Sequence, residues 1–381
     1  MTDAGPLSIL QVISSPWCTG AASAALDLAC ALRDGDHRVA LAAVPGDALE
    51  ARAREEGLSF EGFRFNRRFG PVDFLRDRRR LGRLIREAGV QIVHTHLPHD
   101  HWVALAARGG NSARVVRTFH LLRAIRGDGF HRSLCYNRTD GFLAVSEGIH
   151  ERCIKTAGIP PERVRTLRGM VDTEFFRPGT GDDSAGAALG LNGEGPVVGT
   201  VSRLTPRRGH FTLLEAFAKV RNEFPTARLL ITGKGEHREA ILGRAGALGL
   251  GREVVLPGFW EGDLRDVFRQ LRVFVLQSGG SEGTARALLE AMAYGLPCVV
   301  AAAEGLDEIV EDGETGAVIP PSDPQALAEA VNRLLREPDR AAALGVKARK
   351  RAEEFRRDLQ AGRTVDFYRM LLNRAEPGVL S

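Results

Sequence analysis

The chain has 381 residues, 44% hydrophobic and 26% charged, which suits two globular domains of ordinary size. Its formal net charge of +4 is too small to indicate a partner, and its five cysteines are scattered without a C-x-x-C pair, which favours a reducing compartment and argues against a structural zinc site. The N-terminal stretch lacks the features of a signal peptide, and no segment approaches the roughly 20 apolar residues of a membrane span. We therefore expect a cytoplasmic protein, with peripheral contact to the inner face of a membrane as an open alternative.

Strands and helices are expected to alternate from the start of the chain. Leu7–Ser14 and Arg38–Val44 are apolar runs typical of buried strands, and Ala21–Leu32 between them is rich in helix-forming residues. The loop before that helix contains Gly20 at the carboxyl edge of the sheet, where ligands bind to α/β folds, although a plain tight turn explains this glycine equally well. The Asp34-Gly35-Asp36 segment resembles a metal-binding carboxylate pair, but it falls at the opposite edge, so we expect no metal there.

The segment Arg64–Arg86 is the most polarised part of the chain. It contains nine arginines and two aspartates, interleaved with phenylalanine, leucine and isoleucine. One interpretation is a solvated helix with an arginine-rich outer face, and the other is a surface for an anionic acceptor or an anionic membrane. No nucleic-acid-binding module accompanies the segment, so nucleic acid is not an expected partner.

Four histidines lie at or just beyond the expected strand Gln91–Thr95: His94, His96, His99 and His101. Such a cluster invites a metal site. However, strand alternation places only His94 and His96 on one face, and no cysteine or carboxylate completes an obvious ligand set. We therefore expect ordinary polar packing and no metal site here.

The stretch Val273–Val300 predicts a strand, a turn, a helix and a second strand. Glu282 lies at the turn and Glu290 about two helical turns later, and the amides at Gly283–Arg286 between them have no partner within the helix. Such amides carry partial positive charge and suit a phosphate. Carboxylates on either side of a bound diphosphate would hold the hydroxyls of a nucleotide sugar. A plainer explanation is that Glu282 favours the N-terminus of a helix and that Glu290 is a half-buried acid whose hydrogen bonds are made within the protein.

The pattern Glu282-x7-Glu290, followed by Ala-Met-Ala-Tyr-Gly-Leu-Pro, resembles the signature of family 4 retaining glycosyltransferases. The resemblance implies an α/β fold of two Rossmann-like domains facing a cleft, the GT-B architecture. It implies an enzyme that transfers a hexose from a nucleoside-diphosphate-sugar donor to an acceptor hydroxyl with retention at the anomeric carbon, without a metal ion or another cofactor. Synthesis of cell-envelope glycans is the setting that it suggests. The sequence does not name the acceptor, and a lipid-linked acceptor is one alternative.

The resemblance also assigns roles to individual residues. Four are implied to be catalytic: Glu282 orients donor-sugar hydroxyls, His120 ends a strand in a Thr-x-His arrangement, and Arg203 and Arg208 hold the diphosphate. Arg208 stands where the family has lysine. The alternative for both residues is that they are ordinary surface arginines in an arginine-rich chain, with no role at a diphosphate. Glu290 is implied to hold the ribose hydroxyls. The substrate-binding set comprises Gly20, Gly233, Gly258, Phe259, Gly283, Thr284, Ala285, Arg286 and Glu290.

The expected domains are an acceptor-side domain at 1–178, a linker at 179–196, a nucleotide-sugar-binding domain at 197–357, and a C-terminal helix within 358–381 that packs back on the first domain. Two rival functions are a nucleotide-sugar epimerase on the same architecture and a non-catalytic nucleotide-sugar-binding protein. Departures from the family pattern at Gly20, Arg168 and Arg208 leave the second rival open. A nicotinamide dehydrogenase is disfavoured because no G-x-G-x-x-G follows the first strand.

Overall fold

The computed structural model describes residues 5–15, 17–65, 70–109, 112–191, 193, 195–277, 282–303 and 305–374, apart from the side chains of residues 282–284. The chain forms two compact units. The first contains the residues up to Met170 together with those from Arg357 onward, and the second contains most of residues 171–356.

The first unit is built on a parallel sheet. Its strands within the described residues are β1 (Ser8–Ile13), β2 (Arg38–Ala43), β3 (Ser59–Gly62), β4 (Ile92–Thr95), β5 (Arg114–Phe119), β6 (Gly141–Ala144) and β7 (Val164–Thr166). They lie in the order β3-β2-β1-β4-β5-β6-β7, and every neighbouring pair is parallel. The strand order reverses between β1 and β4, and ligands bind beyond the carboxyl ends of strands at such a point.

Helices connect these strands and cover the faces of the sheet. They are α1 (Gly20–Asp34), α2 (Ala48–Glu55), α3 (Pro71–Glu87), α4 (Pro98–Arg108), α5 (Gly129–Leu134) and α6 (Glu147–Lys155) in the described ranges. Short polar residues start several of them, because a side-chain oxygen satisfies an amide in the first turn. Thr19 does so for α1 and Ser146 for α6. Leu26, Leu81 and Val103 of three different helices are fully buried.

The second unit repeats this topology. Its strands are β8 (Val197–Val201), β9 (Arg228–Thr232), β10 (Val254–Gly258), β11 (Val273–Leu276), β12 (Cys298–Ala301) and β13 (Ala317–Ile319), and its helices are α7 (Ala185–Ala188), α8 (His210–Glu223), α9 (Arg238–Ala247), α10 (Leu264–Gln270), α11 (Glu282–Ala293), α12 (Pro324–Arg336) and α13 (Pro338–Ala352), again within the described residues. The parallel strands lie in the order β10-β9-β8-β11-β12-β13.

Both faces of this second sheet are buried. Phe274 and Leu276 belong to one hydrophobic cluster, whereas Val273 and Val275 belong to the other. Successive residues of a strand point to opposite faces, so a strand that is covered on both sides must be apolar throughout. This explains why the strands read as continuous apolar runs in the sequence.

The last helix, α14 (Arg357–Leu372), belongs to the first unit. Val365, Tyr368 and Leu371 of this helix pack in one cluster with Ile9 and Leu143 of the first sheet. The Tyr368 hydroxyl is within 2.6 Å of Nδ1 of His94, far inside the unit. A segment from the end of the chain therefore completes the core formed by its beginning.

The two units divide after Met170, earlier than the boundary at 178 that we expected from sequence. Val171 and Phe176 pack with Phe268 in a cluster of the second unit. The Arg349 guanidinium donates to the carbonyl oxygen of Phe176 at 3.0 Å. The expected linker is also held there, since the amide of Asp182 donates to the Asp266 carboxylate at 2.8 Å. Apolar packing thus draws residues 171–191 into the second unit.

Candidate active site

The loop after β8 presents two of the predicted catalytic residues. Arg203 is exposed and Arg208 is half-buried, with the buried Leu204 anchoring the loop between them. The loop ends at Gly209, which has a φ of 67° and precedes α8 without a side-chain cap in the described residues. Glycine adopts this left-handed backbone conformation readily because it has no side chain. Two guanidinium groups and the free amides of a helix N-terminus are therefore brought to the same sheet edge, an arrangement that favours a bound anion.

The Gly-x-Gly turn after β9 supports that loop. A Cβ at Gly233 would lie 1.9 Å from the carbonyl oxygen of Ser202, so only glycine permits this close approach. The amide of Leu204 also donates to the carbonyl of Lys234 at 3.1 Å. The structure thus gives Gly233 a supporting role that its sequence did not reveal: it fixes the backbone from which Arg203 projects.

The turn after β10 lies beside the Gly-x-Gly turn. Gly258 accepts a hydrogen bond from the amide of Gly233 at 2.8 Å. The next residue, Phe259, is 59% exposed, and the Lys234 ammonium lies 4.9 Å from the centre of its ring. An exposed aromatic ring with an adjacent cation is suited to stacking with a planar ligand group, and the predicted substrate-binding role of Gly258 and Phe259 stays a prediction.

Glu290 lies on α11 and is 5% exposed. The Nε atom of Arg286, one turn earlier, lies 2.8 Å from its Oε1 atom. The structure thus joins two predicted site residues in one ion pair between adjacent turns of α11. Ala285, the residue before Arg286, is half-buried. Glu282 begins the helix, but its side chain and those of Gly283 and Thr284 lie outside the described part of the structure.

His120, directly after β5 of the first unit, is held by a second histidine. Its Nε2 atom is 3.1 Å from Nδ1 of His96, and Nε2 of His96 is 2.8 Å from Oε1 of Gln11. An amide oxygen only accepts, so the His96 proton resides on Nε2 and its Nδ1 accepts from His120. Burial lowers the pKa of His96 well below its ordinary value, so this ring is neutral. The sequence singled out His120 but gave no sign of Gln11 as its indirect support.

The other buried histidines of the cluster also use their ring nitrogens in hydrogen bonds. His94 contacts Thr118 at 2.7 Å through Nε2, and His101 contacts Thr95 and Thr139 at 2.7 and 2.9 Å. Burial lowers the pKa of His94 to about 3. The described residues contain no group of three or more His, Cys, Asp or Glu side chains arranged to hold a metal ion. His94 and His101 therefore pack as hydrogen-bonded polar core residues, and the expectation that this cluster holds no metal stays a prediction.

Asp100 is a buried residue of this edge that sequence reasoning missed. Its carboxylate accepts from the amide of Ser14 at 2.8 Å and from that of Leu97 at 3.0 Å. It thereby ties the carboxyl ends of β1 and β4 together at the switch point. Gly20 lies at the same edge, as the first residue of α1 after its cap Thr19.

Comparison with known proteins assigns a family to both units. The profile for glycosyl transferases group 1 matches residues 183–351, and the profile for glycosyltransferase family 4 matches residues 19–175. A GDP-mannose-dependent alpha-(1-6)-phosphatidylinositol monomannoside mannosyltransferase of Mycolicibacterium smegmatis is 34% identical over 280 residues, which are 71% of this chain and 67% of that protein.

Two solved structures share the fold. A glycosyltransferase from Rickettsia africae ESF-5 has a TM-score of 0.86 at 18% identity, covering 98% of this chain and all of its own. The Anabaena protein HepE in complex with UDP has a TM-score of 0.81 at 20% identity, covering 96% of this chain and all of its own. These likenesses confirm the expected α/β fold with two Rossmann-like units. The chain belongs to glycosyltransferase family 4 and is a glycosyltransferase.

Proposed function

We propose that this glycosyltransferase moves a hexose from a nucleoside-diphosphate-sugar to an acceptor hydroxyl with retention at the anomeric carbon. The observation that carries the proposal is the loop that brings Arg203 and Arg208 to the uncapped start of α8. Such a cationic loop suits a diphosphate leaving group. The mannosyltransferase relative is named for a GDP-mannose donor, and HepE was crystallised with UDP. Both names support a nucleoside-diphosphate donor here.

Departure of the nucleoside diphosphate is the step in which most charge develops. Arg203 and Arg208 stabilise that charge, since guanidinium groups donate two parallel hydrogen bonds to phosphate oxygens. Glu290, held by Arg286, accepts the ribose hydroxyls, and Glu282 orients the hydroxyls of the donor sugar. His120 donates from Nε2 to Nδ1 of His96, which fixes the orientation of its ring. These roles follow the family resemblance, which implies same-face attack without a glycosyl-enzyme.

A donor screen tests the proposal. Among GDP-, UDP- and ADP-hexoses, we expect slow hydrolysis of one donor, measured as the release of its nucleoside diphosphate. NMR should show that the hexose is freed in the same anomeric configuration that it has in the donor. The same rate is expected with and without EDTA, because the arginine side chains and helix amides supply the positive charge. Release of an inverted sugar, or loss of turnover on chelation with rescue by magnesium or manganese, would contradict the proposal.

The acceptor proposal rests on α3 of the first unit. Its outward positions include Arg79, Arg83 and Arg86, all exposed, and the apolar Val72 and Leu75 at the start of the helix, which are 68% and 43% exposed. Basic residues beside exposed apolar side chains suit an anionic membrane, where each contributes about 1 kcal/mol. We propose a lipid-linked acceptor at such a surface, as the name of the mannosyltransferase relative suggests.

The structure narrows which apolar residues can take part in this contact. Phe63 and Phe65, at the start of this segment, are buried and stack on each other with ring centres 5.2 Å apart. The buried Asp77 carboxylate accepts from the amide of Phe65 at 2.8 Å and fixes the start of this segment. Among the described residues of this segment, Val72 and Leu75 are the large apolar side chains that are exposed, so we propose them as the apolar part of the contact.

Liposome flotation tests the membrane contact. We expect the protein to float with anionic vesicles at low salt, and to float less at moderate salt or with neutral vesicles, because screening weakens charge attraction. Replacing Arg79, Arg83 and Arg86 by glutamine should reduce flotation by at least about tenfold. The control replaces Arg340, Lys347 and Lys350, three exposed basic residues of the second unit. Equal flotation of all three proteins with anionic vesicles would remove α3 from the membrane contact, and negligible flotation under every condition would favour a soluble acceptor.

A further inference from the structure

Gln277, the first residue after β11, has a buried side-chain amide for which the described part of the chain provides no hydrogen-bond partner. The residue is 7% exposed. Neither its Oε1 nor its Nε2 atom has a hydrogen-bond partner among the described residues. A buried amide that loses its bonds to water without replacing them destabilises the folded state. Such a group therefore indicates a polar partner that the described residues do not supply.

The strand register places Gln277 at the predicted diphosphate loop. In the parallel pair of β8 and β11, Val273 lies opposite Val198 and Phe274 opposite Gly199. The same register extended to the strand ends sets Gln277 beside Ser202, the residue before Arg203. Gln277 therefore lies at the carboxyl edge of the sheet, where the loop with the predicted diphosphate ligands begins.

Gln277 also touches the start of α8 directly. A Cβ at Gly209, the N-cap of that helix, would lie 2.5 Å from the Cβ atom of Gln277. The first amides of α8 receive no side-chain cap within the described residues. A buried amide and an uncapped helix start, which are independent features of the chain, thus meet at one point.

The end of β9, on the other side of β8, also has a buried polar atom without a hydrogen-bond partner among the described residues. Thr232 closes β9, pairs with Val201 of β8, and is 2% exposed. Its Oγ1 atom is also buried without a hydrogen-bond partner among the described residues. Polar atoms that lack partners therefore occur on both sides of β8, at the edge where Arg203 and Arg208 project.

We propose that Gln277 binds the diphosphate of the donor, with its Nε2 group donating to a phosphate oxygen held at the start of α8. This inference rests on the proposed function, because it requires a nucleoside-diphosphate ligand. A primary amide is a neutral donor that adds no repulsion beside a phosphate, and the guanidinium groups of Arg203 and Arg208 supply the balancing charge. The alternative partner of the Gln277 amide is a buried water molecule that stabilises the fold and has no part in donor binding.

Calorimetry of Gln277→Leu distinguishes these occupants. Leucine has a similar size and no polar atoms, so we expect the free variant to unfold at the same temperature as the wild type or higher. Its affinity for GDP or UDP, whichever the wild type binds, should fall at least about tenfold, while its affinity for the matching nucleoside stays unchanged. Gln277→Met, which keeps an unbranched side chain, replaces the leucine variant if that one does not fold.

A matched control and three outcomes make the test decisive. Asn332, about two turns into α12, also has a buried amide oxygen without a partner among the described residues, and Asn332→Leu should leave nucleotide binding unchanged. Unchanged diphosphate affinity in the Gln277 variants would overturn this inference alone, as would an equal loss for the nucleoside. A wild-type protein that binds no nucleoside diphosphate would overturn the proposed function and this inference with it.

Discussion

Replacing Arg203 and Arg208 together by methionine is expected to lower kcat for donor turnover by about a hundredfold to a thousandfold. Removal of one preorganised group that stabilises transition-state charge has an effect of this size. Methionine keeps an unbranched side chain of similar length, so the loop anchored by the buried Leu204 should keep its backbone. The measurement is the initial rate of nucleoside-diphosphate release at saturating donor.

Arg207 provides the control for this experiment. It is exposed on the same short turn as Arg208, but no role at the diphosphate is proposed for it. Arg207→Met removes one positive charge from the same turn and should change kcat less than about threefold, since an exposed charge is screened by solvent. If both changes lowered the rate equally, the loop would act through its general positive charge. If neither did, the two arginines would have no part in the reaction.

The second large effect is expected at Glu290. Glu290→Gln keeps the shape of the side chain and removes its charge, so the ribose hydroxyls lose a charged acceptor. A hydrogen bond to a charged group contributes about 1.5–3 kcal/mol, which corresponds to about tenfold to a hundredfold weaker binding of the nucleoside diphosphate. Calorimetry with the nucleoside diphosphate gives this number directly.

The ligand supplies the sharpest control for Glu290. A 2′-deoxynucleoside diphosphate lacks one hydroxyl that the carboxylate is proposed to hold. The difference in affinity between the wild type and Glu290→Gln should therefore be smaller for this ligand than for the ribonucleotide. Glu215→Gln is the matched protein control, because that half-exposed carboxylate pairs with Arg244 in the same unit. Equal losses with both ligands would contradict the ribose assignment, and unchanged affinity with an intact fold would remove Glu290 from the site.

The fold was predictable because its signals are local. Buried strands such as Val273–Leu276 are short apolar runs, and the helices between them begin or end at capping residues such as Thr19, Ser146 and Gly295. Each signal spans fewer than about 15 residues and needs no knowledge of distant contacts. Arg203 and Arg208 were singled out through the family resemblance, which also depends on a short local pattern between a strand and a helix, and their role at a diphosphate stays a prediction.

The supporting contacts were not predictable because they join residues that are far apart in the chain. His96 meets Gln11 across 85 positions, and His94 meets Tyr368 across 274. No periodic pattern indicates which polar residues of neighbouring strands will share a hydrogen bond. The unpartnered amide of Gln277 is hidden for the same reason, because a glutamine after an apolar strand looks like an ordinary loop residue until its burial is known.

The position of α14 has a consequence for the synthesis of the protein on the ribosome. Ile9 and Leu143 of the first sheet share a hydrophobic cluster with Val365, Tyr368 and Leu371 of α14. A chain translated from its N-terminus therefore carries an apolar sheet face that α1 covers only in part until the last helix emerges. The second unit, closed within residues 171–356, can finish folding earlier. Translation that stops before α14 would release chains with exposed apolar surface, the kind of species that aggregates or engages chaperones.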